Sequence, residues 1–252
     1  MTNSAASRRG SVADGQDEQA PGCGSGFVVA VDGPAGSGKS SAARGVARAL
    51  GLHYLDTGAM YRALTWWLIG HGIDTASPDA VVEHASRPVI EVGTDPQDPA
   101  IRVDGVDVAG PIRSRAVSNA VSSVAAVPQV RKLLIAMQRQ IIASAVAAGS
   151  GIVAEGRDIG SVVAPAAAVK VFLTASEEAR AMRRSADLAA DPAATTALTL
   201  RENALRDRHD APQTAMAADA VEIDTTALRL DEVIAAIVSL ARASRAGAAW
   251  TG

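Results

Sequence analysis

The sequence is poor in cysteine and histidine: its 252 residues include 1 cysteine, Cys23, and 4 histidines. A single cysteine excludes an internal disulfide and is typical of a reducing compartment, so we expect a cytoplasmic protein. Such low numbers also exclude a metal site built from a cluster of cysteines and histidines.

Long apolar runs and an excess of positive charge are missing as well. No apolar run approaches the roughly 18 residues of a membrane span. Arg8 and Arg9 are not followed by the apolar segment of a secretory signal. The formal net charge of −3 excludes the broad basic surface of a protein that binds a nucleic-acid duplex. We therefore expect neither a membrane nor a nucleic-acid polymer as a partner.

The chain does contain a regular alternation of short apolar runs and helical patterns. Residues 1–25 lack large apolar side chains, which predicts a disordered tail. Beyond them, strand–helix alternation is typical of an α/β protein whose parallel sheet is covered on both faces. The five predicted strands are Val28–Val31, His53–Leu55, Ile152–Ala154, Val169–Leu173 and Val221–Ile223.

Residues 76–149 interrupt this alternation. Residues 89–108 alternate between apolar and polar, and Asp104-Gly105 is typical of a type I′ hairpin turn. Helices are predicted beside this hairpin over 113–124 and 129–148. We expect a small antiparallel insert between two parts of one core, 26–75 and 150–246.

A glycine-rich segment between the first predicted strand and a helix over 39–50 matches G-x-x-x-x-G-K-[ST] at every fixed position. Its glycines let backbone N–H groups reach phosphate oxygens, and the helix N-terminus adds partial positive charge. Lys39 supplies a full charge for the β- and γ-phosphates, and Ser40 a hydroxyl for Mg²⁺. The alternative is a plain turn with a solvated lysine. The residues expected to bind a nucleoside triphosphate here are Gly33, Pro34, Ala35, Gly36, Ser37, Gly38, Lys39, Ser40 and Ser41.

Two further polar clusters follow predicted strands. Thr57 and Arg62 come after the second strand, and Arg157 and Asp158 come after the third. Because ligands of open α/β sheets bind at the carboxyl ends of the strands, these residues are expected beside the phosphate loop. For Arg157 and Asp158, the alternative is a structural turn with a local ion pair. The guanine-binding motif of switch GTPases is absent from the sequence.

Five segments resemble bacterial cytidylate kinases, in the same order, and the resemblance extends from about Val28 to the C-terminal helix. They read VDGPAGSGKS, YLDTGAMYR, NAVSSVAAVPQVR, EGRDIGSVVAP and VKVFLTASEEARAMRR. The resemblance implies a nucleoside-monophosphate kinase with a P-loop NTPase three-layer sandwich and a five-stranded parallel sheet. It also implies that the insert, 76–149, binds the monophosphate and that a lid covers about 184–205.

The same resemblance implies roles for the acceptor-site residues. Arg62 and Arg157 would hold the acceptor phosphate with Thr57 nearby. The cytosine would contact Ser122, Arg131 and Asp158, the carboxylate taking the amino protons and the other two feeding the ring acceptors. Uracil reverses this pattern, and the unpaired groups would discriminate against it. Without the resemblance, Ser122 and Arg131 would be interpreted as solvated helix residues.

The ribose end departs from the family pattern R-D-x-x-D-S-x-R. Arg206 and Asp210 match it, and Asp210 would accept from the sugar hydroxyls, but the final arginine is Gln213 here. Either Arg208 substitutes, or the acceptor phosphate loses one charge-assisted contact worth roughly 1.5–3 kcal/mol.

The spacing of Arg180, Arg183 and Arg184 puts at least two of them on one helix face. The resemblance implies that they close over the γ-phosphate, and the alternative is a solvated basic face. Asp32 or Glu155 would hold Mg²⁺ through water, and the sequence does not choose between them. We therefore expect a monomer that phosphorylates CMP and dCMP with MgATP. The alternatives are another small kinase, acting on UMP or shikimate, and a nucleotide-dependent binding switch.

Overall fold

The computed structural model describes residues 26–187, 204 and 207–248. The predicted tail, 1–25, and most of the predicted lid lie outside these residues. The strands are β1 (Val28–Asp32), β2 (His53–Asp56), β3 (Ile90–Val92), β4 (Ile101–Val103), β5 (Val106–Asp107), β6 (Ile152–Gly156), β7 (Val169–Thr174) and β8 (Val221–Asp224). A five-stranded parallel sheet has the order β2-β6-β1-β7-β8, and a three-stranded antiparallel sheet has the order β3-β4-β5.

Helices cover both faces of the large sheet. They are α1 (Lys39–Leu50), α2 (Thr57–Gly70), α3 (Pro78–His84), α4 (Arg115–Ala126), α5 (Pro128–Ala147), α6 (Glu177–Asp187) and α7 (Leu230–Ala248). Helix α1 begins directly after the glycine-rich segment, and Gly51 ends it in the left-handed conformation at φ 63°. Helix α2 begins at Thr57 because the Asp56 side chain caps it by accepting from the Ala59 N–H.

The central strand β1 shows why the first predicted strand, Val28–Val31, is apolar throughout. All five of its residues are buried. Val28 and Ala30 pack into a core with α2 and α5, whereas Val29 and Val31 pack into a second core with α1 and α7. A strand covered on both faces is built mainly from apolar residues, and the charged residue of β1, Asp32, lies at its carboxyl end. The α/β fold with a five-stranded parallel sheet, predicted from the sequence, is confirmed.

The hairpin between β4 and β5 turns where the sequence predicts it. Asp104 and Gly105 both have positive φ, 52° and 78°, as a type I′ turn requires. The Asp104 carboxylate accepts from Trp67 Nε1 at 2.9 Å and from the Val89 N–H at 2.8 Å. Trp67 lies on α2, so these bonds fix the small sheet against the helix that also carries Arg62.

In the part of the chain that the structure describes, no single helix has the length and apolar character to cross a membrane. Helices α4 and α5 pass that test only when taken together, and they are bent by 97°.

Candidate active site

A cleft of about 230 Å³ lies at the carboxyl edge of the large sheet. All strands of this sheet are parallel, so the segments after β1, β2 and β6 meet there. The cleft brings together most of the residues that the sequence singles out. Its lining includes Ala35, Gly36, Lys39, Ser40, Thr57, Arg62, Ser122, Arg131, Arg157, Asp158, Asp210 and Gln213.

The phosphate loop forms one end of this cleft. Gly33 has φ 145°, and a Cβ there would lie 2.1 Å from the Leu173 carbonyl oxygen, so the turn requires glycine. Gly38, at φ 87°, precedes the first turn of α1. Ser37 Oγ is buried and has no hydrogen-bond partner among the described residues. A buried hydroxyl without a partner next to a helix N-terminus fits a site that receives an anion.

Three consecutive carbonyls of the loop accept hydrogen bonds from cationic side chains. Lys39 Nζ donates to Pro34 O at 2.6 Å. Arg157 Nη1 donates to Gly33 O at 2.8 Å, and Arg180 Nη1 donates to Ala35 O at 3.2 Å. These bonds fix the outer side of the turn and surround it with positive charge, which suits a polyanionic ligand.

Glu155 lies at the end of β6 beside Ser40. Its Oε2 accepts from Ser40 Oγ at 3.0 Å, and its Oε1 accepts from Tyr54 Oη at 2.6 Å. Burial raises the pKa of Glu155 to about 7, the charge of Asp56 adds to the rise, and Lys39 opposes it. Hydroxyl and carboxylate oxygens are the protein ligands that Mg²⁺ prefers, so the pair Ser40 and Glu155 fits this ion.

Asp32, the other acid considered for Mg²⁺, has a different environment. Its two carboxylate oxygens accept from the Ile159 and Gly160 N–H groups, both at 2.7 Å. Burial raises its pKa to about 6, and these two bonds oppose the rise. Asp32 thus fixes the backbone that follows Asp158. Among the described residues, no group of three or more His, Cys, Asp or Glu side chains could hold a metal.

The acceptor side of the cleft begins with Arg62 and Thr57 on α2. Arg62 Nη1 donates to Ile112 O at 3.2 Å and to Ser118 Oγ at 3.0 Å. Thr57 Oγ1 donates to Glu155 O at 2.7 Å. Arg62 therefore bridges α2 and the insert, and Thr57 ties α2 to the end of β6.

Two guanidinium–carboxylate pairs lie farther along the cleft. Arg131 Nη2 pairs with Asp158 Oδ2, and Arg131 Nη1 donates to Gln213 Oε1 at 3.3 Å. Arg157 Nη2 and Nε donate to Asp210 Oδ2 at 2.9 and 3.2 Å. In each pair, a ligand can take the place of one charged side chain and bind the other.

Ser122 completes the wall next to Arg131. Its side chain lines the cleft, and its Oγ is buried with no hydrogen-bond partner among the described residues. A buried hydroxyl of this kind costs stability unless a ligand satisfies it.

Two comparisons with known proteins bear on this site. The cytidylate kinase family model matches residues 29–243.

The chain belongs to the cytidylate kinase family.

The cytidylate kinase of Streptomyces coelicolor is 54% identical over 221 residues, which are 87% of this chain and 94% of the relative. That of Streptomyces griseus is 50% identical over 225 residues, 89% of this chain and 96% of the relative. As a member of the family, the chain is a phosphotransferase that phosphorylates nucleoside monophosphates. A sugar kinase from Janibacter sp. HTCC2649 and TT1252 from Thermus thermophilus overlay at 18% identity, with TM-scores of 0.39 and 0.42, too low to support an argument.

Arg180 and Arg183 of α6 do not line the cleft. Arg180 is buried and binds Asp207 Oδ2 at 2.5 Å. Arg183 donates from Nη1 to Thr225 Oγ1 at 2.9 Å and from Nη2 to Thr225 O at 2.5 Å. The Arg184 side chain and Arg206 lie outside the described residues. Of the phosphate-loop residues, Ser41 is exposed on the first turn of α1 and does not line the cleft.

Sequence reasoning missed Arg113, which lines the cleft and is exposed. We expected a helix from residue 113, but Pro111–Arg113 form a 3₁₀ turn and Ser114 caps a helix that begins at Arg115. The dipeptide Gly110-Pro111 before it was the available signal for a turn. Asp56 and Tyr61, which also line the cleft, were missed as well.

Proposed function

We propose that this protein transfers the γ-phosphoryl group of ATP to CMP, and also to dCMP, with Mg²⁺ as the metal ion. The observation that carries the proposal is a single cleft in which a phosphate loop with Lys39 faces the Arg131–Asp158 pair. A triphosphate bound at one end and a pyrimidine monophosphate at the other would share this space.

In this proposal, ATP occupies the phosphate loop, with Lys39 on its β- and γ-phosphates. Ser40 and Glu155, whose side-chain oxygens lie 3.0 Å apart, would hold Mg²⁺, Glu155 through water. When bound, Mg²⁺ would neutralise negative charge that develops on the transferred phosphoryl group.

The acceptor phosphate would bind Arg62 and Arg157. Arg157 would exchange its bond to Asp210 for the phosphate, which frees that carboxylate to accept from the ribose hydroxyls. Arg113, exposed on the same wall, adds positive charge where Gln213 replaces the arginine of the family pattern. Arg208 is exposed and does not line the cleft, which argues against its acting as that arginine's substitute.

The cytosine would lie against Ser122, Arg131 and Asp158. Asp158, 8% exposed, would accept from the N4 amino group. The hydroxyl of Ser122 and the Arg131 guanidinium would donate to the ring acceptors. Uracil would present an oxygen to the carboxylate, and such a mismatch in a buried site is costly.

No general base is needed, because the acceptor phosphate is already an anion at neutral pH. Positioning and charge neutralisation account for most of the catalysis of phosphoryl transfer. We propose that Arg183 and Arg184 move over the γ-phosphate when the lid, 184–205, closes, and that Arg206 contacts the acceptor nucleotide. Closure would exclude water and suppress ATP hydrolysis.

The proposal retains the insert, 76–149, as the monophosphate-binding region. Its packing supports this, since Ile112 accepts from Arg62 and belongs to the same buried cluster as Leu64 of α2. We further propose that the enzyme works as a cytoplasmic monomer.

A coupled assay of ADP release from MgATP tests the proposal, with CMP, dCMP, UMP, AMP and GMP as acceptors. We expect CMP and dCMP to stimulate release far more than the other nucleotides. If UMP equals CMP, the assignment of the base site is wrong. If no acceptor stimulates release, the kinase proposal fails and a nucleotide-dependent switch is favoured.

A further inference from the structure

The helical segment 207–210 is tied to the phosphate loop through two arginines. Asp207 Oδ2 accepts from Arg180 Nη1 at 2.5 Å, and the same nitrogen donates to Ala35 O at 3.2 Å. Asp210 Oδ2 accepts from Arg157 Nη2 at 2.9 Å, and Arg157 Nη1 donates to Gly33 O at 2.8 Å. One helical turn thus holds two carbonyls of the loop. In each of these two connections, a carboxylate of the turn binds a guanidinium, and the same guanidinium binds a carbonyl of the loop.

Arg180 contacts the loop with its backbone as well as with its side chain. A Cβ at Gly36 would lie 2.8 Å from Arg180 O and 3.0 Å from Arg180 Cβ, so Gly36 and Arg180 are in direct contact. Because Arg180 follows the first turn of α6, its position sets how closely this helix approaches the loop. A change in the Arg180 side chain would therefore be transmitted to the loop backbone.

Arg180 needs its acidic partner because it is buried. The Arg180 side chain is 8% exposed, whereas that of Asp207 is 27% exposed. Removing one member of a buried ion pair leaves an uncompensated charge, which is strongly unfavourable. Without the Asp207 carboxylate, Arg180 would turn toward solvent and release Ala35 O.

The two connections differ in what happens to them when an acceptor binds. In the proposed function, Arg157 and Asp210 both bind the acceptor nucleotide, so their mutual bond is lost during turnover. Asp207 does not line the cleft and contacts no proposed substrate. The connection through Asp207 is therefore the one that remains to hold the loop while both nucleotides are bound.

We propose that Asp207 is a positioning residue of the donor site, which holds Arg180 against the phosphate loop and so keeps the loop in the conformation that binds the ATP phosphates. The inference rests on the proposed binding of ATP in this loop. It predicts that loss of the Asp207 charge weakens the binding of the donor nucleotide and leaves that of the acceptor intact.

The test is calorimetric titration of ADP and, separately, of CMP into the full chain carrying Asp207→Asn. ADP affinity is expected to fall by about ten- to a hundredfold, as for the loss of one charge-assisted hydrogen bond, and CMP affinity to stay within about twofold. In steady-state assays, KM for ATP should rise and KM for CMP should not. Asp207→Glu, which keeps the charge, should recover most of the ADP affinity.

The matched control is Asp219→Asn. Asp219 also pairs with a buried cation, Lys170, whose side chain is 8% exposed, but neither residue lines the cleft. This variant should bind ADP like the wild type. Arg180→Lys keeps a cation but cannot bridge two acceptors in the same way, so it should reproduce the loss of ADP affinity. The double variant with Asp207→Asn should lose little more ADP affinity than either single variant.

Unchanged ADP affinity in Asp207→Asn would overturn the inference, and so would an equal loss of ADP and CMP affinity, because that indicates general damage to the fold. Intact CMP binding in the variant shows that it has folded. Failure of the proposed function is a separate result: the wild-type protein would then bind ADP without transferring phosphate to CMP.

Discussion

Replacing Asp158 by asparagine should change which base the enzyme accepts. The Asp158 side chain is 11% exposed and pairs with Arg131, which Gln213 also holds at 3.3 Å. Because the second contact remains, Asp158→Asn should leave Arg131 near its place. The substitution then replaces one acceptor that carries a full charge with an amide that can either accept or donate.

The expected size of the effect follows from the hydrogen bond that changes. A bond to a charged group is worth about 1.5–3 kcal/mol and a neutral one about 0.5–1.5 kcal/mol, so CMP should lose about 1–2 kcal/mol. UMP should gain a similar amount, since the amide N–H₂ of asparagine can donate to uracil O4. The ratio of kcat/KM for CMP to that for UMP should therefore fall roughly 30- to 1,000-fold.

The assay is ADP release at a fixed MgATP concentration, with kcat/KM measured for CMP and for UMP in the wild type and the variant. ADP affinity, measured by calorimetry, should change less than about twofold, because the ion pair of Asp158 is with Arg131 of the insert and not with the phosphate loop. An unchanged CMP-to-UMP ratio would refute the role assigned to Asp158. An ADP affinity that falls as much as that for CMP would refute it too.

Two further changes have predicted outcomes. Glu155 has its pKa raised from 4.5 to about 7 by burial, so the folded protein keeps a proton that the unfolded chain releases, and the stability contributed by this group is lost as the pH rises through that window. Urea denaturation should show the wild type losing up to about 3 kcal/mol relative to Glu155→Gln between pH 4.5 and 7, and parallel pH profiles would contradict this. Ser122→Ala removes a buried hydroxyl that has no hydrogen-bond partner among the described residues. In thermal denaturation the free protein should therefore become more stable by up to about 1 kcal/mol, while KM for CMP should rise several-fold. A lower stability with an unchanged KM would oppose the assignment of Ser122 to the base site.

The strands and the phosphate loop could be predicted from the sequence because their signals are local. Val28–Val31 lies within the observed strand Val28–Asp32, and α1 begins at Lys39 as expected. A strand buried on both faces is mainly apolar, and a loop that binds phosphate needs glycines at fixed places. The hairpin at Asp104-Gly105 is predictable for the same reason.

The partners of the charged side chains could not be predicted in this way. Arg180 looked like one of three arginines on a helix face, but it is buried against Ala35 and Asp207, which are far from it in sequence. The choice between Asp32 and Glu155 depends on which donors fold against each acid: backbone N–H groups bind Asp32, and side-chain hydroxyls bind Glu155. Long-range contacts of this kind are set by how the helices and strands pack, and no local sequence pattern predicts them.

Gln213 shows the same limit. The family pattern has an arginine at this position, so the sequence leaves two alternatives: Arg208 substitutes for it, or the acceptor phosphate loses one contact. In the structure its Oε1 accepts from Arg131, so Gln213 orients a residue of the proposed base site. Whether Arg113 supplies the missing positive charge stays a prediction.

The central claim is that donor and acceptor phosphates occupy one cleft, facing each other. A bisubstrate analogue in which adenosine and cytidine are joined through their 5′ oxygens by five phosphates tests this claim directly. Its inhibition of ADP release should be competitive with both ATP and CMP. Competition with ATP alone would show that the two nucleotides bind in separate places, which contradicts the claim of a shared cleft.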